Sequence, residues 1–247
     1  MVKEELIQRS PVRVFMNSIH GGLGNGELGV VASPSGTGKT SVLVQIALDK
    51  LLQNEKVIHI SFTRHTDHVL AWYEDIFDEF IRKKNLENHH DVKNDIIKNR
   101  VLMKFTQDGI SSEQILRSLR ALIKDGGFDA KVIIIDGFDF SLDENPENGK
   151  KEKLNSGHAH VSAIKSFALE MGISVWYSCN IKGEESFYDQ HNIPIVLKEF
   201  ANLFDVIVIL EPKQDHIALN VLKDRDVFNQ EHLALKLDPK TLLILQK

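Results

Sequence analysis

Residues 33–40, SPSGTGKT, are the part of this chain whose residue types and spacing most directly suggest chemistry. Gly36 and Gly38 lack a Cβ atom, so main-chain N–H groups can close around an anion at these positions. Lys39 adds a positive charge, and the Thr40 hydroxyl can bind a divalent cation. The segment therefore predicts a loop that binds the phosphates of a ligand.

The segments on either side of this loop fit the same interpretation. Apolar residues 28–32 predict a strand that leads into the loop, and residues 41–48 predict a helix that leads out of it. This is the context in which the Walker A motif binds a nucleotide, because the start of the helix directs partial positive charge at the phosphates. The residues that we predict to bind ATP are Ser35, Gly36, Thr37, Gly38, Lys39, Thr40 and Ser41.

One position departs from the usual motif, G-x-x-x-x-G-K-[ST]. Ser33 stands where the first glycine would be, and that glycine usually serves the turn out of the strand. A serine makes such a turn only with a negative φ angle, so we expect the loop to begin slightly differently.

Asp136 ends the most apolar segment of the chain, residues 131–136. A nucleotide-binding loop needs a carboxylate that holds Mg²⁺, and this Walker B carboxylate usually ends a core strand beside the strand of the loop. We therefore predict that Thr40 and Asp136 bind Mg²⁺ together with ATP. Asp139 is a candidate second carboxylate, although capping or solvation in a loop would explain it equally well.

Strand and helix patterns alternate along most of the chain, which predicts an α/β fold with a central, mostly parallel sheet flanked by helices. The predicted strands of this sheet span residues 28–32, 56–62, 101–105, 131–136 and 173–180. Antiparallel strands are predicted at the C-terminal end, over residues 206–210, 217–222, 233–237 and 242–245. We expect an N-terminal segment over residues 1–20 and one ATP-binding domain over residues 21–247.

Composition limits the classes of function. The chain has 247 residues, of which 42% are hydrophobic and 26% charged, as in an ordinary globular protein. A net charge of −5 and a pI of about 6.1 argue against a dedicated nucleic-acid-binding protein. Cys179 is the only cysteine, which excludes an intrachain disulfide. No segment has the pattern of a signal peptide or a membrane span, so we expect a cytoplasmic location and no membrane partner.

Together these motifs resemble the RecA-like P-loop ATPase superfamily, in the branch of KaiC, RadA and the ATPase domains of replicative helicases. The resemblance covers roughly residues 18–245. It rests on the phosphate-binding loop, the strand that ends at Asp136, the Gly-Gly-Leu of residues 21–23 and the Lys-Asp-Arg of residues 223–225. It implies a RecA-like P-loop fold and the hydrolysis of ATP.

The resemblance also implies roles for individual residues. Lys39 and Asp136 would act on the phosphates and on Mg²⁺, and Asn180 would occupy the position that senses the γ-phosphate. Lys223 and Arg225 would reach the nucleotide site of a neighbouring subunit and stabilise charge on the transferred phosphoryl group. The implied assembly is a homo-oligomer, such as a hexameric ring. A solvated strand end would explain Lys223 and Arg225 equally well.

The chain differs from RecA-like enzymes at the position of their catalytic glutamate, which follows the strand after the phosphate-loop helix. Thr63 and Arg64 stand there, and neither can accept a proton from water near neutral pH. Asp67 and Asp139 are candidate substitutes. We therefore predict slow hydrolysis, and the alternative is a regulatory or scaffold protein that binds ATP and scarcely hydrolyses it.

Two further alternatives are weaker. A DNA-acting recombinase or helicase-type motor would use the lysine-rich residues 150–153, which lie where RecA-like proteins place a loop that contacts nucleic acid. The acidic pI disfavours nucleic acid as a partner, although it does not exclude a local contact. A small-molecule kinase would need an arginine-rich lid, and residues 143–157 contain no arginine.

Overall fold

The computed structural model describes residues 10–63, 65–84, 90–106, 110–140, 157–181, 188–189 and 192–246. The strands are β1 Leu28–Ser33, β2 Lys56–Ser61, β3 Arg100–Lys104, β4 Ala130–Asp136, β5 Ser174–Asn180, β6 Val206–Pro212, β7 Ile217–Asp224, β8 Val227–Leu237 and β9 Ile244–Gln246. The helices are α1 Pro11–Ser18, α2 Lys39–Leu52, α3 Thr66–Lys84, α4 His90–Lys98, α5 Ser112–Arg120, α6 Gly157–Met171 and α7 Ile195–Lys198. A π-helical turn, Ala121–Asp125, extends α5.

All of these strands form one sheet in the order β3-β2-β4-β5-β1-β6-β7-β8-β9. Strands β1 to β6 are parallel to one another, and β7, β8 and β9 are added antiparallel at one side. This confirms the predicted α/β fold, with a mostly parallel central sheet, flanking helices and antiparallel strands at the C-terminal end. In such a sheet, ligands bind at the carboxyl ends of the parallel strands.

Different helices cover the two faces of the sheet. Apolar side chains of α1 to α4 pack on one face, and those of α5 to α7 pack on the other. Along β4, Val132 and Ile134 join the first cluster while Ile133 and Ile135 join the second. Because successive side chains of a strand point to opposite faces, a strand buried on both sides is apolar throughout. That is why residues 131–136 form the clearest strand signal in the sequence.

Helix α1 brings part of the predicted N-terminal segment onto the core. Val12 and Phe15 are fully buried, and Arg13 Nε lies 2.8 Å from Asp49 Oδ1 of α2. Burial raises the pKa of the Asp49 carboxyl, and the nearby Arg13 guanidinium opposes that shift. Helix α1 therefore packs against the phosphate-loop helix α2 and pairs with it through Arg13 and Asp49. The division of the chain at residue 20 stays a prediction.

Strand β8 is longer than predicted. It begins at Val227, whereas the apolar pattern predicted a strand from residue 233. The polar run at residues 229–232 interrupts that pattern, but the backbone still pairs with β7. No helix of the described residues is both long and apolar enough to cross a membrane.

Candidate functional site

A cleft of about 460 Å³ opens at the carboxyl ends of β1, β4 and β5. It is lined by Ser35, Gly36, Gly38, Lys39, Thr40, Ser41, Thr63, Trp72, Asp136, Gly137, Ser178, Asn180 and Leu242. The structure thus brings most of the predicted ATP-binding residues together with Asp136 and Asn180. Thr37 is the predicted loop residue that does not line the cleft, and its side chain is buried.

Residues 33–40 lie between the central strand β1 and its outgoing helix α2. Gly36 has a φ of 78° and Gly38 a φ of 99°, a left-handed conformation that glycine adopts without strain. A Cβ atom at Gly38 would also overlap the side chain of Leu237. Ser33 is the last residue of β1 and keeps its strand conformation, so serine fits where the motif usually has glycine.

Lys39 points back into the loop that it follows. Its Nζ donates hydrogen bonds to the main-chain oxygens of Ser33 (3.0 Å) and Pro34 (2.8 Å), and lies 3.4 Å from Ser33 Oγ. Burial lowers the pKa of Lys39, and the nearby Asp136 carboxylate opposes the shift. The loop therefore holds a mostly buried cation beside the open volume of the cleft.

Asp136 is hydrogen-bonded through both carboxylate oxygens. Thr40 Oγ1 donates to Oδ2 over 2.9 Å, and Ser178 Oγ donates to Oδ1 over 2.6 Å. The Gly137 N–H donates in turn to Ser178 Oγ over 2.8 Å. The predicted Mg²⁺ pair, Thr40 and Asp136, is therefore in direct contact, and Ser178 orients the carboxylate. Sequence analysis missed Ser178, although β5 places it beside Asp136 on the same face of the sheet.

The oxygen atoms of Thr40 and Asp136 fit Mg²⁺. This cation prefers hard oxygen donors, and proteins often bind it through one or two side chains together with the phosphates of a nucleotide. Among the residues that the structure describes, no cluster of three or more His, Cys, Asp or Glu side chains offers an alternative metal site.

Thr63 lies at the predicted position of the catalytic base. A Cβ atom at Gly137, whose φ is 80°, would overlap the Thr63 side chain, so glycine permits the close approach. Arg64 lies outside the described residues. Of the described residues that line the cleft, Asp136 alone carries a carboxylate.

The two candidate substitutes for the base do not line the cleft. The side chain of Asp67 is 80% exposed, and its Oδ2 lies 3.1 Å from His65 Nδ1 at the start of α3. Asp139 lies three residues beyond the end of β4. The described part of the site therefore offers a hydroxyl, and no carboxylate besides Asp136, where a base would act.

Two apolar residues border the cleft beyond the loop. Trp72 comes from α3, and Leu242 comes from the turn between β8 and β9. Ser41 Oγ and Gln45 Nε2 donate hydrogen bonds of 2.5 and 2.9 Å to the Leu242 carbonyl oxygen. Leu242 has a φ of 55°, a strained conformation for leucine. The C-terminal turn is thus attached directly to the phosphate-loop helix.

Asn180 and the Lys-Asp-Arg residues lie at opposite ends of the sheet. Asn180 ends β5, pairs with Ser33 and is exposed in the cleft. In contrast, the Arg225 N–H donates to the carbonyl oxygen of Asp205, which precedes β6, so Lys223 and Arg225 lie at the amino ends of the strands. They cannot reach the phosphate loop of their own chain.

Lys223 and Arg225 also have partners within the chain. Lys223 Nζ donates to the carbonyl oxygens of Ala201 (2.5 Å) and Phe204 (2.7 Å). Arg225 Nη2 lies 2.7 Å from Glu27 Oε2, and also donates to the carbonyl oxygen of Gly22 over 2.8 Å. The Gly-Gly-Leu and Lys-Asp-Arg motifs therefore contact each other, while a role in a neighbouring subunit stays a prediction.

Comparison with known families agrees with the geometry of the cleft. The model of the family described as AAA domain (AAA_25) matches residues 9–179, more than half of the chain. The match includes the phosphate loop, Thr63, Asp136 and Ser178, and it ends before Asn180. Among curated proteins, no match to this chain was found. The protein thus belongs to the AAA domain family of P-loop ATPases.

Proposed function

We propose that this protein binds ATP with Mg²⁺ in the cleft and hydrolyses it slowly, as a RecA/KaiC-like ATPase. The observation that carries the proposal is the convergence of Lys39, Thr40 and Asp136 around one cleft at the carboxyl ends of the strands. These are the charge, hydroxyl and carboxylate that phosphoryl-transfer sites use.

The loop would bind the triphosphate. Main-chain N–H groups and the start of α2 supply partial positive charge, and Lys39 supplies a full one. The Lys39 hydrogen bonds to Ser33 and Pro34 hold the ammonium at the edge of the cleft, where phosphate oxygens can replace them. Binding would therefore need only a local rearrangement of one side chain.

Thr40 and Asp136 would hold the Mg²⁺ ion, which neutralises charge on the β- and γ-phosphates when it is bound. Ser178 fixes the carboxylate through Oδ1. Oδ2, the oxygen that Thr40 contacts, is then the one available to the cation.

The proposal of slow turnover rests on Thr63. A positioned general base contributes about 10²- to 10⁴-fold to a rate, and a threonine hydroxyl cannot supply it near neutral pH. Asn180 could still orient water or the γ-phosphate through its amide. We expect turnover below about 1 per second, the low end of the usual range for enzymes.

Trp72 and Leu242 would contact the base and ribose. They are the apolar groups of the lining, and an indole ring can stack on an adenine. The loop would then determine phosphate binding, and these residues the preference for a nucleoside triphosphate over a bare triphosphate.

A regulatory or scaffold protein that holds ATP without hydrolysing it is the second candidate. It is favoured by the lack of any carboxylate other than Asp136 among the described cleft residues. A DNA-acting motor is not favoured, and the lysines at 150–153 lie outside the described residues. Steady-state phosphate release, with and without single-stranded DNA, separates these candidates.

The proposal includes a homo-oligomer, such as a hexameric ring, built by the domain of residues 21–247. The support is positional: Lys223 and Arg225 lie at the amino ends of the strands, away from the cleft of their own chain, so the roles that the resemblance implies for them would need the cleft of a second copy. Light scattering with ATP should show a species larger than the monomer, and a strict monomer would contradict this part.

The central test is calorimetry with Mg²⁺–ATP. We expect Lys39→Ala to abolish measurable binding, whereas Lys50→Ala should bind like the wild type. Lys50 is a suitable control because it lies on the same helix, does not line the cleft and pairs with Glu55 at 3.3 Å. Equal affinities for Lys39→Ala and the wild type would refute the proposal.

A further inference from the structure

A buried polar contact joins β2 to α3 beside the cleft. His59 Nδ1 and Tyr73 Oη lie 3.1 Å apart, and both residues are 1% exposed. The other ring nitrogen of His59, Nε2, has no hydrogen-bond partner. Buried polar groups are rarely left unpaired because desolvation is not compensated. The hydrogen bond to Tyr73 is therefore the polar contact that fixes the buried His59 ring relative to α3.

Tyr73 makes a second contact, with the edge strand β3. The guanidinium of Arg100, the first residue of β3, lies 4.2 Å from the centre of the Tyr73 ring. A cation over an aromatic face is attracted to it, most strongly where water is partly excluded. Tyr73 is thus fixed by β2 at its hydroxyl and by β3 at its ring face.

The neighbour of Tyr73 on α3 is Trp72, which lines the cleft. Successive residues on an α-helix are about 100° apart, so the direction of Tyr73 sets the direction of Trp72. The other inward residues of α3, such as Val69 and Ile76, make apolar contacts, which are not directional. A hydrogen bond is directional, so the contact with His59 restricts the rotation of α3.

We propose that His59, Tyr73 and Arg100 are positioning residues that hold α3 so that Trp72 contacts the nucleoside part of the ligand. The inference rests on the proposed function, because it concerns the same cleft. The cleft then has two parts: the loop of residues 33–40 binds the phosphates, and α3 contacts the nucleoside.

The separation gives a test with a built-in reference ligand. Calorimetry on the full chain compares the affinities for Mg²⁺–ATP and for Mg²⁺–tripolyphosphate, which has no nucleoside. In Tyr73→Phe we expect the ATP dissociation constant to rise about fivefold, as for the loss of one hydrogen bond, and that for tripolyphosphate to stay unchanged.

Tyr177→Phe is the matched control. It removes a hydroxyl that is equally buried but has no hydrogen-bond partner, and Tyr177 packs on the opposite face of the sheet. Both dissociation constants should stay at their wild-type values. As a second measurement, ATP should change the tryptophan fluorescence of the wild type, less so in Tyr73→Phe and not at all in Trp72→Phe.

Two outcomes would overturn the inference. The ratio of the two affinities could be the same in Tyr73→Phe as in the wild type, even if both affinities fall together, as for a general structural defect. The wild type could also bind tripolyphosphate as tightly as ATP, which would leave the phosphate loop intact but remove any nucleoside contact. Wild-type binding of neither ligand would refute the proposed function itself.

If Tyr73→Phe does not fold, Arg100→Lys replaces it as the test variant, because it keeps the charge without the planar stacking. The same ratio of ATP to tripolyphosphate affinity then decides.

Discussion

Two lysines at opposite ends of the sheet show how similar contacts can have different consequences. Lys39 and Lys223 are 8% and 7% exposed, and each donates to two main-chain carbonyl oxygens. Burial lowers the pKa of both. Lys39, however, borders an open cleft next to Asp136, whereas Lys223 does not line the cleft and lies 5.3 Å from the centre of the Phe228 ring.

The difference lies in what could replace the lysine. Water or a phosphate can reach the Lys39 site, so its carbonyl partners need not stay paired with the protein. Lys223, in contrast, binds the carbonyl oxygens of Ala201 and Phe204 at the amino ends of the parallel strands, whereas the cleft lies at their carboxyl ends. A buried cation is therefore a sign of binding only where an accessible volume adjoins it.

Exchanging each lysine for alanine should separate binding from stability, and this is the largest expected effect. Lys39→Ala should weaken ATP binding at least about 100-fold, because it removes charge-assisted hydrogen bonds to phosphate. Lys223→Ala should instead lower the free energy of unfolding by about 3 kcal/mol, since two buried carbonyl groups lose their donor. Calorimetry and urea unfolding of both variants measure the two quantities. Equal losses of stability would contradict the contrast.

The buried histidines extend the comparison to the two faces of the sheet. Burial lowers the pKa of His59 and of His160 to about 4, from about 6.5 in the unfolded chain. The unfolded chain thus binds more protons between these values, so stability is complete above pH 6.5 and is lost as the pH falls towards 4. We expect each to contribute a loss of about 2 kcal/mol between pH 7.5 and 5.

Urea unfolding at the two pH values measures this loss. His59→Asn and His160→Asn should each remove about half of the pH dependence that the two buried histidines cause. An unaltered pH dependence in both buried variants would show that other groups cause it.

Ser178→Ala also tests binding in the cleft, with a smaller expected effect than Lys39→Ala. Ser178→Ala removes the donor to Asp136 Oδ1 and the acceptor of the Gly137 N–H. Loss of such an orienting group commonly weakens metal binding about tenfold or more. We expect the Mg²⁺ concentration for half-maximal ATP binding to rise about tenfold. Cys179→Ala, one residue further along β5, is the control, and similar shifts in both variants would argue against an orienting role.

Restoring the motif glycine should have the smallest effect. Ser33→Gly removes a contact of 3.4 Å between Ser33 Oγ and Lys39 Nζ, which is long for a hydrogen bond. We expect the ATP dissociation constant to change by less than about threefold, since a hydrogen bond this long contributes little. A change of an order of magnitude, measured by calorimetry, would show that Ser33 controls the loop.

Much of the fold and of the phosphate site could be predicted because their signals are local. Residues 33–40 contain the whole loop in one segment, and Asp136 is recognisable because it ends an apolar strand. Strand β8 was predicted too short because backbone pairing at residues 229–232 needs no apolar side chain.

The remaining parts of the site depend on contacts between distant segments. Ser178 contacts Asp136 from the adjacent strand, and Leu242 contacts the loop helix through its carbonyl oxygen, a group that every residue has. Trp72 has the spacing of an ordinary core residue, and only the arrangement of α3 shows that it borders a cleft. No pattern within one segment could have revealed these three.

The attachment of Leu242 to α2 has a consequence for the nascent chain. The hydrogen bond between Ser41 and Leu242 spans 201 positions, and Gln45 adds a second contact with Ile244. A ribosome must therefore translate almost all of these residues before the wall of the cleft beside Gly38 exists. Translation intermediates would therefore carry a complete Walker A segment that still lacks the wall supplied by the C-terminal turn.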